Sequence, residues 1–122
     1  MSKELYDRAV AISRNAYAPY SNYLVGAAVL TKDGNVFEGV NVENAAYPLG
    51  ICAERSAIAK AASEGLRPGD VEAIAITASP CGGCRQWLYE FKIPEVTFLS
   101  SGGELVTYSA ADLLPDTWDL PT

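Results

Sequence analysis

A chain of 122 residues, 49% of them hydrophobic, suits a single domain spanning residues 1–122 and leaves little room for a second. Its formal charge of −6, from 9 basic and 15 acidic side chains, argues against a nucleic-acid partner, which needs clustered Lys and Arg against phosphates. No stretch reaches the roughly 18 apolar residues of a membrane span. The charged start, Met1 to Asp7, lacks the apolar core of a signal peptide, so a cytoplasmic protein with no membrane partner is expected.

In chain order, Leu5, Ala9, Ile12 and Ala16 recur at helical spacing and predict a helix over 2–17, with Ser2 as N-cap and Pro19 as its stop. The apolar run 24–31 reads as a buried strand, and its small residues Gly26, Ala27 and Ala28 as places where helices approach a sheet closely. Lys32-Asp33-Gly34-Asn35 is a hairpin turn returning an antiparallel strand over 36–42. A second helix spans 52–64 and ends at Gly65. A strand follows over 71–77, with Ile74 and Ile76 on one face. Pro80 opens a helix running to about Phe91, because proline is tolerated in a first helical turn. Strands near 95–100 and 104–108 and a short helix near 109–114 complete the pattern, ahead of a tail that carries Trp118. With no repeat or linker in view, the order predicts an α/β domain with helices on the faces of a sheet.

Three cysteines and no histidine make an odd set that cannot be fully paired within one chain, and reduced thiols fit better. Cys81 and Cys84 stand three apart at the start of one predicted helix, and Cys52 stands at the start of another. Helix N-termini and neighbouring cations favour the metal-binding thiolate, and Arg55 and Arg85 each follow a cysteine closely. Three thiolates leave one position open on a tetrahedral Zn²⁺, the mark of a catalytic site, where bound water is activated near neutral pH. Glu54, two residues after Cys52, is placed for the general acid-base role beside such a water.

Cys52-Ala53-Glu54-Arg55 together with Ser79-Pro80-Cys81-Gly82-Gly83-Cys84-Arg85-Gln86 resembles the short, homotetrameric class of cytidine deaminases within the zinc-dependent nucleoside deaminases. The resemblance extends over nearly the whole chain, through Tyr17 to Ser21, Val25 to Ala28, Asn41 to Tyr47 and Leu113 to Pro115. It implies a three-layer α/β/α fold on a mixed sheet of about five strands. It implies hydrolytic deamination of free cytidine or deoxycytidine to uridine or deoxyuridine, a reaction of pyrimidine salvage. One Zn²⁺ per chain would be held by Cys52, Cys81 and Cys84, with Glu54 carrying protons to N3 and to the departing ammonia. Asn41 and Glu43 would bond the ribose hydroxyls, and Ala53 would touch the base through its backbone. Ala45 and Tyr47 would reach the ribose of a neighbouring subunit, placing the sites at the interfaces of a homotetramer. Arg55 and Arg85 would hydrogen-bond the thiolates. Tyr23 stands where a Phe often stacks near the base, and Trp118 near the place of a C-terminal Phe that closes a neighbour's site.

Other readings remain open at this point. Asn41 and Glu43 also suit a strand end and turn, the two arginines suit surface ion pairs, and Tyr23, Tyr47 and Trp118 suit core or interface packing. A structural zinc module would need a fourth protein ligand, and a thioredoxin-like redox unit would leave Cys52 without a role. A deaminase of an aminonucleoside antibiotic such as blasticidin S shares the zinc motifs, but the segment Asn41 to Tyr47 favours cytidine.

Overall fold

The computed structural model describes residues 2–120. Its elements run α1 (Ser2–Ser13), β1 (Gly26–Thr31), β2 (Val36–Val40), a 3-10 turn (Tyr47–Leu49), α2 (Ala53–Ser63), β3 (Val71–Ile76), α3 (Gly82–Glu90), β4 (Glu95–Leu99) and β5 (Leu105–Tyr108). The five strands form one mixed sheet in the order β2-β1-β3-β4-β5. β3 and β4 are parallel and joined through α3, while the other neighbours are antiparallel.

Strand alternation divides the core in two. Ala27, Val29, Ile74, Ile76, Val96 and Phe98 point to the face covered by α2 and α3, where Ile58 and Leu88 are fully buried. Ala28 and Ala75 point to the opposite face, under Leu5 and Ala9 of α1. The result is the expected three-layer α/β/α arrangement. Burial of each large aliphatic side chain on the first face contributes about 1.5–3 kcal/mol.

Two glycines set the distances between layers. A Cβ on Gly26 would lie 2.0 Å from the Ala9 carbonyl oxygen, and one on Gly39 would lie 2.4 Å from the Ala57 backbone nitrogen. Only a residue without a side chain lets α1 seat on β1 and α2 seat on β2 this closely. The second contact fixes the height of α2, and hence of its N-terminus, above the sheet.

The structure corrects several boundaries. α1 stops at Ser13 because the backbone of Tyr17 pairs with 41–43, its N–H donating to the Asn41 carbonyl and its carbonyl accepting from Glu43 N–H. α3 begins at Gly82 with Cys81 as N-cap, so Pro80 precedes the helix rather than opening it. The short helix expected near 109–114 is a run of turns. Strand β5 ends at Tyr108 and Pro115 follows, so the intervening chain is short, and the residue before a proline is pushed away from helical dihedrals.

Candidate metal centre and substrate pocket

Cys52 and Cys81 are the N-cap residues of α2 and α3, both with extended dihedrals and neither using its side chain as a cap. Their carbonyls start the helices, accepting from Ser56 N–H at 3.1 Å and Arg85 N–H at 3.0 Å, which leaves the sulfurs free to face each other. Cys84, one turn into α3, returns to the same point. The Cys52 and Cys81 sulfurs lie 3.9 Å apart, and all three sulfurs lie within 4.8 Å of one another. Two sulfurs on a tetrahedral zinc, each about 2.3 Å from the metal, stand about 3.8 Å apart, so the cluster has the size and donor chemistry that zinc requires. No fourth His, Cys, Asp or Glu joins the group among the described residues, which disfavours a closed structural site.

Charge around the cluster is arranged for thiolates. Two helix N-termini converge on it, and the Arg55 guanidinium approaches Cys81 Sγ at 3.9 Å. Arg55 Nε is buried without a hydrogen-bond partner among the described residues, a cost that negative charge on the sulfurs offsets. Hydrogen bonding from Cys84 lowers the Cys52 thiol, and the same bond, with burial, raises the Cys84 thiol. Arg85 turns away from the sulfurs. Its Nε donates to Pro80 O at 2.9 Å, Nη1 to Leu113 O at 3.2 Å and Nη2 to Ser79 Oγ at 3.4 Å.

Glu54 opens α2 next to Cys52 and is only 3% exposed. Burial, reinforced by the negative charge of Cys52, pushes its carboxyl up to about 6. A carboxyl held near neutrality can both take up and release a proton.

These residues line an open pocket of about 320 Å³, at the small end of the roughly 300–1,000 Å³ typical of ligand sites. Its lining includes Cys52, Ala53, Glu54 and Cys81 of the cluster together with Tyr23, Asn41, Glu43 and Tyr47. The Asn41 amide bridges the loop below it, accepting from Val25 N–H at 2.9 Å and donating to Tyr23 O at 2.9 Å. It retains one N–H and one lone pair for another partner. Glu43 accepts from the Ser21 hydroxyl, from Ser21 N–H at 3.1 Å and from Tyr20 N–H at 2.9 Å. The Ser21 hydroxyl above all, with these amides, holds the Glu43 carboxyl below the usual range. Three further residues named from the sequence lie apart from this pocket within their own chain. Ala45 is exposed on the bend before the 3-10 turn, Arg85 on α3 bonds to Ser79, Pro80 and Leu113, and Trp118 is 69% exposed in the tail.

Sequence reasoning passed over Val42 and Ile51, which form an apolar wall and pair through their backbones at 2.9 and 3.0 Å. Ser21 also escaped notice as a partner of Glu43. Their sole signal was adjacency to the motifs, since an apolar residue next to a polar site reads equally well as core.

The comparisons agree with this geometry. Residues 1–100 match a family model described as the cytidine and deoxycytidylate deaminase zinc-binding region. A cytidine deaminase of Halalkalibacterium halodurans is 45% identical over 120 residues, covering 91% of this chain and 89% of the relative. A probable cytidine deaminase of Dictyostelium discoideum is 40% identical over 126 residues, covering 94% of this chain and 84% of the relative. Among solved structures, the crystal structure of cytidine deaminase from Burkholderia pseudomallei superposes with a TM-score of 0.90 at 46% identity, covering 97% of this chain and 99% of the other. That from Mycobacterium tuberculosis gives 0.82 at 36% identity, covering 97% of each chain. The Cys52, Cys81 and Cys84 cluster fits one zinc ion per chain, and the chain belongs to the cytidine deaminase family.

Proposed function

We propose that this protein hydrolyses the 4-amino group of free cytidine or deoxycytidine, giving uridine or deoxyuridine and ammonia. The observation that carries the reading is Glu54, a buried carboxyl pushed up to about 6 beside a three-cysteine cluster at a nucleoside-sized pocket. Zinc, when bound by Cys52, Cys81 and Cys84, supplies a Lewis acid that makes water nucleophilic at neutral pH.

The chain's own groups do the rest. Glu54 takes the proton of the attacking water and delivers it to N3 as the C4–O bond forms. It then carries the second proton to the exocyclic nitrogen, the C4–N bond breaks, and ammonia leaves as the C4 carbonyl is completed. Cytidine and water thus balance against uridine and ammonia. The Ala53 backbone contacts the base, while the free N–H of Asn41 and the ordered carboxylate of Glu43 bond the ribose. Arg55 offsets the excess negative charge of three thiolates around a dication.

The ribose contacts define the first test. Ammonia release is measured with cytidine, deoxycytidine, free cytosine, nucleotides and blasticidin S. Cytidine is used far better than cytosine, because a polar site that loses its partner leaves its own groups unpaired. Glu43→Ala lowers kcat/KM for cytidine by roughly 10- to 100-fold, because a charge-assisted bond to the ribose is lost. Release from blasticidin S alone overturns the reading, and equal use of cytosine and cytidine removes Asn41 and Glu43 from it.

The working assembly is a homotetramer in the cytoplasm, its pocket completed by a neighbour. Support lies in the apolar surface around the open mouth, where Tyr20, Tyr23, Tyr47 and Leu49 are all more than half exposed, and in the exposed Trp118. Ala45 and Tyr47 then meet a neighbour's ribose, and Trp118 closes a neighbour's site with Tyr23 beside the base. Trp118→Ala keeps its zinc and raises KM for cytidine. Mixed with Glu54→Gln chains under subunit exchange, it regains activity in hybrids, whereas activity equal to the sum of the separate proteins counts against a shared site.

A further inference from the structure

Arg85 is drawn by its place in the sequence toward the thiolates, and the structure sends it elsewhere. Its guanidinium lies where three segments of chain meet: the loop that carries Cys81, the first turns of α3, and the turn at 109–114. Nε and Nη2 hold the carbonyl of Pro80 and the hydroxyl of Ser79, the two residues before Cys81. Nη1 holds the carbonyl of Leu113.

The two ends of this bridge differ in rigidity. Leu113 is 8% exposed and Ala110 is 1% exposed, and Ala110 N–H donates to Ile93 O at 3.0 Å, so the turn is fixed in the core. Residues 77–81 have no regular structure, and Pro80 has no N–H with which to pair. Cys81 at the end of this loop is exposed, while Cys84 is anchored by burial. Thr77 N–H donates to Gly26 O at 3.0 Å and the Pro80 ring is buried, so the loop is pinned at both ends, and Arg85 adds the hydrogen bonds that orient Ser79 and the Pro80 carbonyl just before Cys81. A planar guanidinium with five donors in a rigid fork can reach three acceptors at once, and an ammonium on a flexible stem cannot hold the same three in place.

We propose that Arg85 is a positioning residue for the metal centre. It ties the Ser79-Pro80 loop to the buried Leu113 turn and so sets the Cys81 sulfur at its distance from those of Cys52 and Cys84. It acts through hydrogen-bond geometry, distinct from the charge that Arg55 presents to the sulfurs. Through this bridge the segment after β5 bears on zinc retention although it contributes no ligand.

The test compares zinc-loaded wild-type protein with R85K and R85Q. Zinc transfer to an excess of a chromophoric chelator is followed under native conditions, and the sulfur-to-metal charge-transfer band is recorded on the cobalt-substituted proteins. Loss of a group that orients a ligand costs roughly 10- to 100-fold in metal retention, so zinc leaves R85Q faster by that factor and the cobalt band shifts. R85K, which keeps the charge and most of the stem and so keeps the fold, decides between tether and charge. Zinc release from R85K close to that of R85Q, with an altered cobalt band and native circular dichroism, supports the tether. Zinc release and a cobalt band in R85K matching the wild type overturn it and return Arg85 to a role of charge alone.

Discussion

Glu54→Gln lowers turnover of cytidine by at least about a hundredfold, the low end for a positioned acid-base group, and leaves zinc in place. The substitution keeps size and shape but replaces an oxygen that exchanges protons with an amide that cannot. Because the carboxyl is 3% exposed and already costly to ionise where it stands, a neutral amide adds little burial penalty and the fold is retained. The loss therefore appears in kcat, with KM for the nucleoside little changed, since the ribose contacts lie elsewhere in the pocket. Uridine formation followed by absorbance, beside metal analysis of the same sample, checks both halves. Turnover within tenfold of wild type would remove Glu54 from the proton pathway.

The three cysteines of the metal cluster were legible in the sequence because their chemistry demands particular atoms at spacings that helix geometry imposes. Cys81 and Cys84 are three apart, as are Cys52 and Arg55, and residues three apart at a helix start share a side. Arg85 makes its hydrogen bonds to Ser79, Pro80 and Leu113. It follows Cys84 directly and so projects about 100° around α3 from it.

The sheet was legible for a similar reason. Ile74 and Ile76 alternate with Ala73 and Ala75, and that period assigns them to opposite core layers. What escaped were features set by distant partners. The end of α1 depends on pairing of Tyr17 with 41–43, and the turn at 109–114 depends on Ala110 docking against Ile93. Glu43 depends on a hydroxyl at Ser21, far away in sequence. Trp118 is exposed within its own chain.

Removing one thiolate should be more severe than removing the proton carrier. In Cys84→Ala the site keeps two sulfurs, and the missing one is the fully buried member around which the exposed Cys81 and half-buried Cys52 are arranged. Alanine is chosen over serine because an unpaired hydroxyl in that position would add about 1–3 kcal/mol of desolvation cost. The small void left by the sulfur costs about 1 kcal/mol, a tolerable change for a domain with two packed layers of core. Loss of the metal is the dominant effect. Zinc lowers the pKa of water it binds to about 7, so without the ion almost no nucleophile is available at neutral pH, and deamination falls by at least about a thousandfold. The protein as purified then contains only a small fraction of one zinc per chain, and its thermal midpoint drops toward that of wild type stripped by a chelator, since metal affinity contributes to folding stability. Adding zinc back separates the two cases: stripped wild type recovers its activity and its midpoint, and Cys84→Ala recovers neither. A Cys84→Ala protein that retains one zinc per chain and deaminates cytidine would show that the ligand set lies elsewhere.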